Sequence, residues 1–311
     1  MALSPSLVFV SLIASVYGTT SFIPVQTGAP ANFHGSLTII VDGHLETLDI
    51  VSPGSGNFEN NVSISEDGNS FTMSGGGQVQ FASQYQSHYT PDMFAKFKLL
   101  GKEFIYTVDR STVGCSCNSA IYFVDMPGYD ENQNPDASKF GNYYCDCDKV
   151  GGSYCPDMDV SEANAYTMAT TIHSCSAPAG KHYSKCDPVG CGVNVFNANP
   201  KAYCPDVSCT INTSKPYTHA IAFQETNGQL SAIKNTLTQG SQSFIFYSCI
   251  DASYLKDMTN PIGNDGLVPI ISLWGNSYDT MAWLDSMTGC TGDCDINAAS
   301  STFSDFKINT L

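Results

Sequence analysis

The sequence predicts an all-β sandwich or jelly roll. Three observations predict it: short apolar alternations at close spacing, Asp-Gly and Asn-Gly turns between them, and only one short segment of helical character. Residues 36–41 meet Asp42-Gly43 and residues 44–51 follow, which reads as a hairpin. Val62 and Ile64 alternate, Asp67-Gly68 turns, and Phe71 and Met73 alternate again. Phe104, Tyr106 and Val108 share one face of a strand, and residues 119–126 form another. Residues 219–225 run through Asn227-Gly228 to Leu230. Residues 243–249, 267–274, 281–285 and 303–308 complete the strands, and only residues 252–258 read as helical. There is no internal repeat, no Pro/Thr/Ser linker and no appended binding module, so a single domain over residues 19–311 is expected.

The 311 residues are long enough to bury a large core without help from disulfides. Hydrophobic residues make up 42% and charged residues 14%, a globular composition that excludes a disordered tail or a coiled coil. The net charge of -16 repels phosphate backbones and anionic bilayers, so neither nucleic acid nor a membrane surface is an expected partner. A neutral sugar would not be repelled.

Thirteen cysteines need an explanation. No two of them have the two-residue gap of a zinc knuckle and the six histidines are scattered, so no metal is expected. Residues 7–16 are an apolar run too short to span a bilayer, ending in Val16-Tyr17-Gly18 before Thr19. This reads as a secretory signal over residues 1–18, and places the chain in an oxidising, extracellular compartment. Asn61-Val62-Ser63 and Asn212-Thr213-Ser214 then make Asn61 and Asn212 glycosylation acceptors.

The most informative segment is Asp157-Met158-Asp159-Val160-Ser161-Glu162-Ala163-Asn164. On a regular strand Asp157 and Asp159 share a face and Glu162 points away. A bulge between Asp159 and Glu162 would bring all three acids to one face. Repulsion would then raise at least one pKa, giving a proton donor beside an ionised carboxylate, as a retaining glycosidase requires. From spacing alone, a solvated acidic edge or a calcium site fits as well.

This run resembles the Glu-x-Asp-x-x-Glu-Ala-Asn signature of glycoside hydrolase family 7, the secreted, retaining cellobiohydrolases and endoglucanases. Lys98-Leu99-Leu100-Gly101-Lys102-Glu103-Phe104, Cys117-Asn118-Ser119-Ala120-Ile121-Tyr122-Phe123-Val124 and Cys186-Asp187-Pro188-Val189-Gly190-Cys191 resemble further family segments in the family's order. So do Ser272-Leu273-Trp274 and Met281-Ala282-Trp283-Leu284-Asp285-Ser286, and the resemblance covers roughly residues 96–310. It implies a concanavalin-like β-sandwich with disulfide-pinned loops. It also implies that Asp157 is the nucleophile, Asp159 its assisting carboxylate and Glu162 the acid/base, with His173 beside them. Asn118, Tyr122 and Asp146 would line sugar sites, and Trp274 and Trp283 would be indole platforms. The implied disulfides are Cys115–Cys294, Cys145–Cys155, Cys175–Cys186 and Cys191–Cys249. Cys204–Cys209 and Cys117–Cys290 complete the set, and Cys147 is left unpaired.

The chain departs from the family in four ways. Asp157 stands where the family has Glu, which sets the carboxylate back by about 1 Å, a displacement that can cost on the order of 100-fold. Ser161 stands where the family usually has Trp. Cys145 and Cys155 are only ten positions apart, so the insertion the family carries there is missing and an open cleft is expected. The N-terminal third has neither tryptophan nor cysteine. The expected activity is internal cleavage of β-1,4-glucosidic bonds by a secreted monomer that needs no cofactor. The alternatives are a β-glucan-binding, lectin-like protein and a structural protein on the same fold.

Overall fold

The computed structural model describes residues 28–53 and 61–311; the signal segment expected over residues 1–18 lies outside them. Strands dominate. In chain order they are β1 (Ala31–Val41), β2 (His44–Pro53), β3 (Asn61–Ile64), β4 (Ser70–Ser74), β5 (Gly77–Ala82), β6 (Lys102–Asp109), β7 (Cys117–Val124), β8 (Asp157–Ala163), β9 (Met168–His173) and β10 (Cys191–Asn194). After the short helix α1 (Val195–Ala198) come β11 (Tyr203–Cys204), β12 (Ile211–Asn212), β13 (Tyr217–Thr226), β14 (Gln229–Gln239) and β15 (Gln242–Tyr247). Helix α2 (Ala252–Leu255), β16 (Val268–Gly275), helix α3 (Tyr278–Asp285) and β17 (Ser300–Thr310) complete the chain.

Fifteen strands form one sheet, in the order β10-β9-β8-β7-β16-β5-β2-β1-β17-β6-β13-β14-β15, with β3 and β4 branching from β17. Asp42-Gly43 and Asn227-Gly228 make the tight β1–β2 and β13–β14 connections, and all four residues have positive φ. That is the backbone a two-residue hairpin turn demands. The sheet folds over so that its two halves enclose the main core. Phe104 of β6 packs edge-on against Phe123 of β7 with centroids 5.2 Å apart, and Phe223 of β13 meets the same ring at 6.3 Å. Phe81 of β5 meets Phe306 of β17 at 5.8 Å. β7 is buried along its whole length because one face joins this core and the other forms the floor of a groove under loops.

Two expectations are corrected. Residues 281–285 are not a strand; they are the last part of helix α3. The buried residues Met281 and Leu284 are three apart and pack with Ala169, leaving Trp283 outward, which is helical spacing. The Cys115–Cys294 and Cys117–Cys290 pairings are exchanged: the bonds are Cys115–Cys290 and Cys117–Cys294. The register explains why. Gly275 lies opposite Cys117 in the β7–β16 ladder, and Cys294 packs directly on the space above Gly275 that any side chain would fill. Cys294 therefore meets Cys117. The bonds Cys145–Cys155, Cys175–Cys186, Cys191–Cys249 and Cys204–Cys209 are present, and Cys147 is a buried free thiol. Asn61 is exposed, and Asn212 is half-buried with its side chain accepting from Ser214 N. Among the described residues no helix is long and apolar enough to cross a membrane.

Candidate active site

β8 carries one extra residue against both neighbours. Opposite β7 the register jumps from Asp159↔Tyr122 to Ser161↔Ile121, and opposite β9 from Asp159↔Thr171 to Glu162↔Ala169. Val160 and Ser161 are both fully buried at this bulge. The extra residue restores parity, so Asp157, Asp159 and Glu162 all line one groove.

The ladders place these acids on three alternate rungs, which share one face. Gln78, Ser272, Ala120 and Glu162 form one, Ile270, Tyr122 and Asp159 the next, and Val268, Val124, Asp157 and His173 the third. The groove contains a cavity of about 870 Å³. One wall is Phe140, Tyr144, Asp146, Cys147, Asp148 and Val150, on the loop tied by Cys145–Cys155, and Pro188 and Val189 face it. Trp274, on β16, and Trp283, on α3, line the cavity with 40% and 47% of their surface exposed, so neither is a core residue.

Hydrogen bonds distinguish the acids. Asn118 Nδ2 donates to Glu162 Oε1 at 2.9 Å. His173 Nδ1 contacts Asp187 O at 2.9 Å, and since a carbonyl only accepts, this nitrogen bears a hydrogen. His173 Nε2 lies 3.2 Å from Asp159 Oδ2, so one further proton is shared by that pair. Burial opposes the imidazolium, but the hydrogen bond and charge of Asp159 outweigh it and hold the His173 pKa above its ordinary value. Asp157 Oδ1 is buried without a hydrogen-bond partner. Burial first, then the charges of Asp159, Asp146 and Glu162, push the Asp157 pKa well above the carboxylate range. Burial and Asp159 likewise push Glu162 well up, against the opposing pull of Asn118. Asp146 is buried and accepts from Val150 N at 2.8 Å, and burial raises its pKa too.

All the residues singled out in the sequence gather here. Tyr122 lines the cavity and its hydroxyl accepts from Gln78 Nε2 at 2.8 Å, with Tyr144 Oη at 3.3 Å. Asn118 reaches the site through Glu162. Sequence reasoning missed Gln78, Tyr144, Phe140 and Asp148. Gln78 lies on β5, a six-residue strand whose sequence signal is the alternation of Gln78 and Gln80 about Val79.

The family model for glycosyl hydrolase family 7 matches residues 51–151 and 148–262. The chain belongs to glycosyl hydrolase family 7. The match begins upstream of the segments quoted from sequence, within β2. The relatives include a probable endo-beta-1,4-glucanase celB of Aspergillus flavus, 28% identical over 250 residues, covering 65% of this chain and 59% of that protein. Endoglucanase EG-1 of Hypocrea jecorina is 28% identical over 267 residues, 74% of this chain and 56% of its own. The chain thus spans under two thirds of the length of these curated relatives. Among solved family 7 structures, the native endocellulase EGI of Humicola insolens aligns with a TM-score of 0.69 at 18% identity, over 91% of this chain and 98% of that one. A cellobiohydrolase of Daphnia pulex aligns at 0.67 and 17% identity over 94% and 98%. An endoglucanase I solved with cellobiose aligns at 0.69 and 18% identity over 89% and 97%.

Proposed function

We propose that this chain is a secreted, retaining β-1,4-glucanase, with residues 19–311 as its catalytic unit. The observation that carries the reading is the β8 bulge, which sets Asp157 and Glu162 on one face of a groove that Trp274 and Trp283 also line. Glu162 protonates the leaving glycosidic oxygen while Asp157 attacks the anomeric carbon, forming a glycosyl-enzyme and releasing the chain that carries the protonated oxygen. Glu162 then takes a proton from water, which displaces Asp157 with net retention. The His173 imidazolium balances the charge of Asp159, so Asp159 can lie beside Asp157 without both charges standing unpaired. The indoles offer flat apolar faces to glucose rings. The six disulfides suit secretion.

Reducing-sugar release from a soluble β-1,4-glucan tests this, with Glu162→Gln as control and NMR of the newborn anomer. Retention that disappears in Glu162→Gln is expected, and inversion would refute the mechanism. One observation favours a second reading. Burial leaves Asp157 Oδ1 unpartnered and raises the pKa of the carboxyl, which opposes the ionised form that attack needs and suits a glucan-binding protein. Tight binding of cello-oligosaccharides with no product from either the native chain or Asp157→Glu would establish that alternative.

A further inference from the structure

Asp285, the last residue of α3, does not line the cavity, yet it joins the strands that hold the acid/base. It is fully buried. Its Oδ1 accepts from Asn164 Nδ2 at 2.8 Å and its Oδ2 accepts from Ser116 N at 2.7 Å. Asn164 is the second residue after Glu162. Ser116 is the second before Asn118, which donates to Glu162 Oε1. Ser116 is itself buried with φ 57°, an unfavourable backbone for a serine, between two disulfide cysteines. On the same helix, Met281 and Leu284 pack with Ala169, the cross-strand partner of Glu162, and Trp283 enters the cavity.

We infer that Asp285 is a positioning residue: its two oxygens fix Glu162, Asn118 and the Trp283 platform in one relative geometry. Both partners are N–H donors, and only a carboxylate presents an acceptor to each. The isosteric amide would turn an N–H toward an N–H. The inference rests on reading Glu162 as the proton donor, and it extends that reading to a side chain that touches no sugar.

The experiment compares Asp285→Asn with the native chain on two substrates. One is a β-1,4-glucan, whose alkoxide leaving group must be protonated. The other is 2,4-dinitrophenyl β-cellobioside, whose leaving group departs without acid help. The dinitrophenol burst counts folded active sites. The expected result is a loss of about 10-fold or more in kcat on glucan while the rate constant of the dinitrophenol burst, which reports glycosylation alone, stays within about 3-fold, because Glu162 also serves as base in the later hydrolysis step. Equal losses on both, or none, overturn the inference. Asn164→Asp breaks the same contact from the other side while keeping its acceptor oxygen, and must give the same split. If neither variant folds, Asp285 is a folding residue and the inference is wrong. If the native chain turns over neither substrate, the proposed function falls, and the clamp is judged on Trp283 alone in a Trp274→Phe background. Unchanged acrylamide quenching in Asp285→Asn would then overturn it, and increased quenching would support it.

Discussion

Asp157 is the residue where the chemistry is most constrained. It is one methylene shorter than a glutamate, buried, and acted on by four other carboxylates. Asp157→Glu is expected to raise turnover by on the order of 100-fold if the pocket accepts the added methylene, measured as reducing-sugar release. The raised pKa also has a stability consequence. The folded state keeps the Asp157 proton to higher pH than the unfolded chain, so this group's stability is fully present below the ordinary carboxylate pKa. It is lost as pH rises through the folded value. Asp157→Asn mimics the protonated form. It should therefore raise Tm at pH 7, by about 2–4 °C per kcal/mol relieved, and leave Tm near pH 4 unchanged. Equal gains at both pH values would exclude charge repulsion as the cause. The gathering of Glu162 and the two tryptophans in one groove was legible only through the family resemblance, since spacing alone allowed an acidic edge and core indoles. The anchoring of His173 by Asp187 O was not legible, because it depends on a turn fourteen residues away.

At the scale of elements, the β8 bulge and helix α3 both shape the groove. Parity along Asp157-x-Asp159-x-x-Glu162 made the bulge legible: three acids sharing a face required one extra residue. Helix α3 was illegible for the opposite reason. Met281, Trp283 and Asp285 alternate as a strand would, and the competing three-residue spacing of Met281 and Leu284 gains meaning only when Ala169 is beside it. The exchanged disulfides were equally hidden, since Cys115 and Cys117 lie two apart and only the ladder position of Gly275 decides between their partners. Trp283→Ala is expected to weaken cellotetraose binding by about 3–10-fold, read by calorimetry on the Glu162→Gln background. Replacing both Cys145 and Cys155 by Ser frees the wall that carries Asp146 and Asp148. A short loop of this kind contributes at most about 3 kcal/mol, so a lower denaturant midpoint with a retained fold is expected.

For the whole molecule, charge and topology matter most. Among the described residues the cavity is lined by Asp146, Asp148, Asp157, Asp159 and Glu162 and by no lysine or arginine, on a chain of net charge -16. Its field should disfavour anionic glucans. KM for a carboxymethylated glucan should therefore fall as salt rises from 10 to 300 mM, as screening shortens from about 30 Å to under 8 Å, while KM for an uncharged glucan stays flat. Parallel responses would show that the field does not reach the substrate. The all-β class was legible from alternation and turns, but not the order of strands, because pairing across hundreds of residues leaves no local mark. The last strand, β17, is an interior one: it lies parallel to β1 on one side and antiparallel to β6 on the other. During synthesis, a chain that has emerged only as far as β16 therefore still presents two bare strand edges and an unsealed core. The sandwich can close only when residues 300–310 leave the ribosome, so a message truncated just before them yields a chain destined for aggregation, although every residue of the catalytic strand has already been made.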